Sequence, residues 1–558
     1  MATTRSPEQT RAQDAAFVAQ CSLAGLRERL PLRWPTPPGT PPSPKRHYRS
    51  QYVYLGWQDL QDPALWEPLS DFDLVLRLVD FSGLRPVLAH LLGWTSGRGW
   101  EPFDPVSFFL LIGWQTVNCW NRAQLLKQLR HPRHADYAQR FGFHDGVFPT
   151  EGGVRYFLTT LGRHAQVPGE TVAVEVGEQL VHIAIQRLNE LLVQAIGLIR
   201  EAGLLSPQVW QQALLCPDGQ LHYAASRMRC SAVTDTCYQP TSAAHPRPCP
   251  AREKELKGCD CDTLACATVC QRATPRDVAA RFVWYAGDNQ SEEPEETEQG
   301  EGYYGYRSLP LRLADPQRRF SLTLLDDVWP ANQREENPAA ALLLQLAHFY
   351  PDLRVAAVAG DAGLGYDAFL HTVYAHLHAR RIVAQRRHET DQHKALWPVR
   401  GYDDCGRPVC AFGYALCANG FDASRQRHKW ICAQACLKAS TPRVRLSGVT
   451  YPPPECPYQS SQHPYGRILN LGERFEDGSI RLIRDLPVDS PTWKALYHRA
   501  RNAVESRNGT FEHWQLKRLP VYGLPRGKAL LFLADVWDTL TTLARLVREA
   551  TAAYLDSS

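Results

Sequence analysis

Residues 319–385 read RFSLTLLDDVWPANQREENPAAALLLQLAHFYPDLRVAAVAGDAGLGYDAFLHTVYAHLHARRIVAQ. Arg319–Leu325 is a short apolar run that stops at Asp326-Asp327, the pattern of a buried strand ending at an acidic turn. Asn337-Pro338 then caps an apolar helix over Ala339–Phe349. Leu353–Val358 is a further buried strand and stops at Gly360-Asp361-Ala362-Gly363. A helix over Tyr366–Arg380 and a strand over Arg381–Gln385 follow. Upstream, Ala213-Leu214-Leu215-Cys216 runs into Pro217-Asp218-Gly219, again a strand that ends at an acid. Strands alternating with helices after a first group of strands predict an α/β core around a mixed sheet.

Outward from this core the character changes. From about Asp71 to His164 apolar residues recur at three- and four-residue spacing, with Asp104-Pro105 as a cap and first-turn proline. A second helical stretch is expected over Glu170–Ala202, closed by Gly203. Residues 31–44 hold seven prolines and read as a stiff, extended segment. The 292–301 stretch carries six glutamates, a solvated loop. No apolar run reaches the ~18 residues of a spanning helix, and the first residues lack an apolar signal core. A cytoplasmic protein without a membrane partner is therefore expected.

Thirteen of the sixteen cysteines fall in two windows, Cys230–Cys270 and Cys405–Cys456. Disulfide frameworks belong to short secreted chains, so clustering here suggests metal. Cys259, Cys261, Cys266 and Cys270 form one candidate structural zinc set, and Cys410, Cys417, Cys432 and Cys436 another. The spacing is near that of four-thiolate sites without the strict Cys-x2-Cys repeat. Buried reduced thiols and redox disulfides remain alternatives. Arg425, Arg427, His428, Lys429 and Trp430 in the second window mix cations with a stacking ring, which suits DNA or a plain solvated knuckle.

Asp218 and Asp361 each sit just past a buried strand, where a sheet presents side chains to a cleft. Glu505 lies mid-helix in Ala500–Trp514; Tyr497, Arg501, Glu505 and Gly509 share one face by their spacing of four. Three carboxylates from two strand ends and a helix suit two Mg²⁺ ions, with Mn²⁺ as substitute. Each acid alone also reads as a turn residue or a surface ion pair. Residues 491–530 hold eight Lys/Arg against Glu505 and Glu512, a local excess of +6 that marks a candidate phosphate surface. Arg499, Arg507, Lys517 and Arg518 are its candidate DNA contacts.

Taken together, FDPVSFFLLIGWQ through LTTLG, GYRSLPLRLADPQRRFSLTLLDDVWPANQREENPAAALLL with VAGDAGLGYDAFL, and YHRARNAVESRNGTFEHWQLKRLPVYGL resemble the DDE transposases of bacterial insertion sequences. The resemblance covers most of the chain from about residue 70. It implies a ribonuclease-H-like core with a mixed sheet and flanking helices, preceded by an all-α domain and carrying Cys-rich insertions. It also implies Asp218, Asp361 and Glu505 as the acidic triad and Arg501 as a phosphate-neutralising partner. Asp235 and Asp288 are rivals for the first position, and Tyr497 and Lys517 depart from the family spacing. The implied activity is metal-dependent DNA cleavage and strand transfer by a homodimer on double-stranded DNA. A transposase-derived DNA-binding protein that no longer cuts and a Mg²⁺-dependent nuclease are the alternatives. The expected organisation is an arm over 1–65, a helical, DNA-binding domain over 66–205 and the first part of the core over 206–390. The first Cys-rich insertion falls at about 228–275 and the second over 391–480, and the core resumes over 481–558.

Overall fold

The computed structural model describes residues 23–42, 53–94, 103–226, 277–285, 301–383, 401–472, 486 and 491–557, apart from short stretches inside these ranges. Nine strands form its centre. In chain order they are β1 (Ala213–Pro217), β2 (Gln220–Tyr223), β3 (Arg281–Tyr285), β4 (Glu301–Ser308) and β5 (Leu311–Ala314). After them come β6 (Ser321–Leu325), β7 (Val328–Pro330), β8 (Val355–Gly360) and β9 (Arg380–Val383). The main sheet runs β6-β5-β1-β8-β9. β5 is antiparallel to both β1 and β6, whereas β8 is parallel to β1 and to β9. Every residue of β1, β5 and β6 is buried, including the polar Arg312 of β5 and Ser321 and Thr323 of β6.

A second sheet, β7-β4-β2 with β3 also paired to β4, continues the first. Asp218-Gly219 alone separates β1 from β2, and Leu309-Pro310 alone separates β4 from β5. The two paired strands thus leave one sheet for the other at the same level, where the Asp218 amide donates to Pro310 O at 3.4 Å. Asp218 stands at this corner.

Nine helices matter to the packing. They are α1 (Asp71–Leu78), α2 (Leu84–Leu91), α3 (Pro105–Val117), α4 (Arg122–Leu129) and α5 (Glu151–Arg163). The remaining four are α6 (Asn189–Glu201), α7 (Glu336–Phe349), α8 (Pro491–His513) and α9 (Leu524–Ser557). Asp104 accepts from the Val106 amide at 2.9 Å and Pro105 opens α3, the cap that the sequence predicts. α9 packs back against the first helices so closely that two glycines are obligatory. A Cβ on Gly113 would lie 1.9 Å from the Trp537 ring, and one on Gly162 would lie 1.8 Å from Pro525 O. One hydrophobic cluster consequently extends from Leu26 to Ala550 and includes residues of β1, β5, β6 and β8. The expected boundary at 205/206 is not a break in packing.

Three local expectations are corrected. Thr171–Val176 and Gln179–Ala184 form an antiparallel hairpin, so the predicted helix begins only at Asn189. Valine and isoleucine alternate through this stretch, and their stiff, branched side chains suit the pleat better than a helix. α7 starts at Glu336 with Glu335 as its cap residue, which places Pro338 inside the first turn. The helix after Asp361 is Asp367–His371 followed by a wider π turn over Thr372–His376, and the next strand is Arg380–Val383.

Candidate active site

β1 and β8 are adjacent and parallel, with Leu215 paired to Val358. Three residues further along each strand stand Asp218 and Asp361, so the register brings both to the same edge of the sheet. α8 lies across the face beside them. Its Trp493, Ala500, Ala503 and Val504 pack on Leu214, Cys216, Ala314, Ala357, Ala359 and Ile382. The three alanines of the sheet leave room for the helix backbone to come close. Trp493 also stacks on Tyr497, with ring centroids 4.7 Å apart and planes at 11°. This seat turns Arg501 and Glu505 toward the strand ends.

Arg501 Nη1 meets Asp218 Oδ1 at 2.9 Å. Burial pushes the Asp218 carboxyl up to about 6; Arg501 opposes the rise, while Asp361 and Glu505 add to it. Burial alone would lower the Arg501 guanidinium, but the Asp218 charge more than offsets this and leaves it above its ordinary value. Beneath them Cys216 is fully buried, and burial together with Asp218, Asp361 and Glu505 drives its thiol far up despite Arg501. Asp361 is half-buried and accepts from the Leu364 amide at 3.2 Å, whereas Glu505 is exposed. The pattern is an excess of negative charge gathered at one sheet edge.

A fourth acid joins it. Glu335 pairs with Arg307 at 2.6 Å and packs on Gly219, where a Cβ would lie 2.5 Å from its carboxylate oxygen. Burial raises Glu335 to about 7, against Arg307, and Asp218 and Asp361 raise it further. The sequence reading passes over it because the cap was placed at Asn337-Pro338; its cue is an acid at the start of the helix that follows the acidic turn. We expect Glu335→Gln to leave the limb set by Asp218 in place and to remove any further step near pH 7 in an activity at this edge, because Glu335 is still mostly protonated where Asp218 ionises. An unchanged pH–rate profile would make the Glu335–Arg307 pair purely structural.

By donor type the carboxylates fit a hard divalent cation. Arg501 holds one Asp218 oxygen, however, and among the described residues no group of three or more His, Cys, Asp or Glu side chains is closed around a metal position.

The basic surface is smaller than expected. Arg507 is corrected outright: it is fully buried, on Asp535 at 2.9 Å and Asp326 at 3.4 Å, and cannot reach a DNA phosphate. Lys528 is likewise buried on Asp327 at 2.7 Å. Arg499 is exposed. Lys517 is exposed and meets Glu512 at 3.3 Å, and Arg518 donates to Ala224 O at 3.3 Å while covering the Tyr223 ring. Near the start of α9, burial lowers Arg526, and the neighbouring Arg122 and Arg155 cations lower it further. α4, α5 and α9 thus bring three guanidinium groups together.

The cysteine sets fare differently. Cys259, Cys261, Cys266 and Cys270 lie outside the described residues, as do Asp235 and Asp288. In the second window Cys410, Cys432, Cys436 and Cys456 act on one another electrostatically, whereas Cys417 is exposed. Among the described residues, none of these thiols belongs to a group of three or more His, Cys, Asp or Glu side chains that could hold a metal ion.

No helix among the described residues is long and apolar enough to cross a membrane. Compared with known proteins, the chain matches no family model, no curated protein and no solved structure.

Proposed function

We propose that the chain is a DDE-type transposase with a ribonuclease-H-like core, which binds insertion-sequence ends and catalyses DNA strand cleavage and strand transfer. The observation that carries this reading is the alignment of Asp218 and Asp361 at the ends of adjacent parallel strands, with Arg501 and Glu505 presented by a helix across the same sheet. The mixed sheet, three antiparallel strands followed by two parallel ones, supports it.

In this reading Asp218, Asp361 and Glu505 hold two Mg²⁺ ions, with Mn²⁺ as substitute. When bound, the ions supply activation of the attacking hydroxyl and stabilisation of the leaving oxygen. Arg501 moves from Asp218 to the scissile phosphate, whose planar, two-pronged recognition suits a guanidinium. Hydrolysis and strand transfer are both in-line displacements at phosphorus, so one site serves both. Arg499, Lys517 and Arg518 and the helical part hold double-stranded DNA, and a homodimer brings two ends together.

One observation favours a second reading, a transposase-derived DNA-binding protein that does not cut: the Arg501–Asp218 ion pair occupies the first aspartate. A labelled duplex ending in the element's own terminal sequence separates the two. With Mg²⁺ or Mn²⁺, nicked and joined products that vanish in Asp361→Ala are expected. Nicking without joining indicates a nuclease, and binding without either product indicates the inactive relative.

A further inference from the structure

We propose that the groove between α4 and α5 is a phosphate track for duplex DNA, in which Arg122, Lys127, Arg130, Arg155 and Arg526 meet the phosphates of one strand. The choice of duplex rests on the transposase reading; the cationic groove does not. Ala123, Leu126 and Lys127 of α4, Arg130 just after it, and Thr150 and Glu151 at the start of α5 line the groove.

Packing fixes where its two ends lie. At one end Arg130 Nη2 donates to Pro149 O at 3.5 Å, which ties the end of α4 to the start of α5. At the other end the start of α4 is held to the chain between α8 and α9. Cys119 Sγ donates to His513 O at 3.1 Å there, and Asn121, the cap of α4, lines a cleft with Arg518, Pro520 and Leu530. α9 begins at this place, and its Pro525 O lies against Gly162 of α5. Arg155 precedes Gly162 by two helical turns and stands on the same face of α5, the face that meets α9. Arg122 opens α4 and Arg526 follows Pro525, so three helices bring their guanidinium groups to one point. The crowding registers on Arg526, which burial and the charges of Arg122 and Arg155 lower, against Asp277.

These cations are unopposed. Among the described residues none of the five forms an ion pair with an acid, and Glu151 is the one acid of the lining. Lys127, Arg130 and Arg155 are exposed. Other surface guanidinium groups are matched, as Arg140 is by Asp136, Arg200 by Asp352 and Arg545 by Asp71. Like charges gathered without partners repel, and a bound polyanion relieves them.

The shape suits a polymer better than a lipid headgroup. From Arg122 to Arg130 the helix rises about 12 Å, the axial span of about three to four nucleotides on one strand. The track then passes Asn121 to Arg518, which donates to Ala224 O and covers the Tyr223 ring. Tyr223 closes β2, and the extended chain from Asp218 to Tyr223 is about 16 Å long. The cations thus line a path that ends on the strand leading to the acidic edge.

The test is the salt dependence with which the full chain binds a labelled duplex of arbitrary sequence, in EDTA so that no cleavage intervenes. Arg122→Gln/Arg155→Gln and Lys127→Gln/Arg130→Gln are each expected to lower the slope of log affinity against log salt by about two. Between about 50 and 200 mM salt the parent's affinity then falls about tenfold more than that of either variant. Glu151→Gln removes the opposing acid and is expected to bind tighter at low salt, a gain that a folding defect does not produce. A parental slope in either double variant, or no tighter binding by Glu151→Gln, would overturn the groove and leave the transposase reading to its cleavage assay. Substitutions that release the chain from phosphatidylserine vesicles but not from DNA would overturn it too. Reduced slopes in variants of a chain that yields no nicked or joined product keep the groove and remove the transposase. A parent that binds no duplex overturns both.

Discussion

Asp218→Asn is expected to abolish metal-dependent cleavage, by roughly three orders of magnitude or more, and at the same time to make the protein more stable at pH 8. Asp218 is buried at a corner between two sheets, and burial pushes its carboxyl up to about 6 from the ordinary carboxylate value of 3.8. Between these two pH values the unfolded chain has lost the proton and the folded chain retains it. Folding stability therefore falls as pH rises through that window and stays reduced above it. The asparagine imitates the neutral carboxyl and escapes this loss. The gain at pH 8 is on the order of 1–3 kcal/mol, and it shrinks toward zero near pH 4. Thermal melts at the two pH values read it directly. Mg²⁺ adds a second comparison: a cation that binds only the folded chain raises the melting temperature, for the unaltered protein and not for the variant. A variant less stable than the parent at pH 8 would mean that Asp218 is there to pair with Arg501, and the active-site reading would fail with it.

Much of this site was legible because its chemistry lies next to simple patterns. A buried strand reads as an apolar run, and the first polar residue after it has to be near the sheet edge; that ground singled out Asp218 and Asp361, and the family resemblance raised them above turn residues. Their adjacency was not legible, because register depends on which strands pair, and β1 and β8 are separated by the second sheet and α7. Glu335 was missed for a related reason, since its place beside Gly219 follows from the chain crossing between sheets. The hairpin over 171–184 was read as helix although its branched residues alternate, because helical stretches on both sides drew it in. In the cysteine window, spacing could not show which side of a strand each thiol takes. The pairing of Cys417 with Ile431 decides that, and an apolar Leu416 beside it was the available hint. Charge was the least reliable guide. A count of Lys and Arg over residues 491–530 does not separate cations facing solvent from Arg507 and Lys528, which hold the interior together.

Arg507→Ala carries the largest expected loss of stability. The guanidinium is fully buried, where Nε and Nη2 meet the two Asp535 carboxylate oxygens at 3.1 and 2.9 Å. Nη1 donates to Gln220 Oε1 at 2.6 Å and to Ser308 Oγ at 3.2 Å, and its carbon sits 3.6 Å from the centroid of the Phe511 ring. One side chain of α8 thereby ties together α9, β2 and β4, and it fixes the rotation of the helix two residues after Glu505. Burial would raise Asp535, but Arg507 more than reverses this and holds it below its ordinary value; Asp326, pressed by burial and by Asp535, is raised. Without the guanidinium, two buried acids face one another with no cation between them. The cost is about 3–5 kcal/mol, measurable by urea unfolding. Asp535 then has to take up a proton to fold, so its folded-state titration moves above the unfolded one. The loss is therefore larger at pH 8 than at pH 5. Arg507→Lys recovers only part of the loss, because a single ammonium cannot span Asp535, Gln220 and Ser308 together. Lys517→Ala and Arg518→Ala should behave in the opposite way, with stability near that of the parent and each reducing the salt dependence of DNA binding by about one phosphate contact. An Arg507→Ala protein as stable as the parent and weakened only in DNA binding would return Arg507 to the surface and remove the brace that orients Glu505.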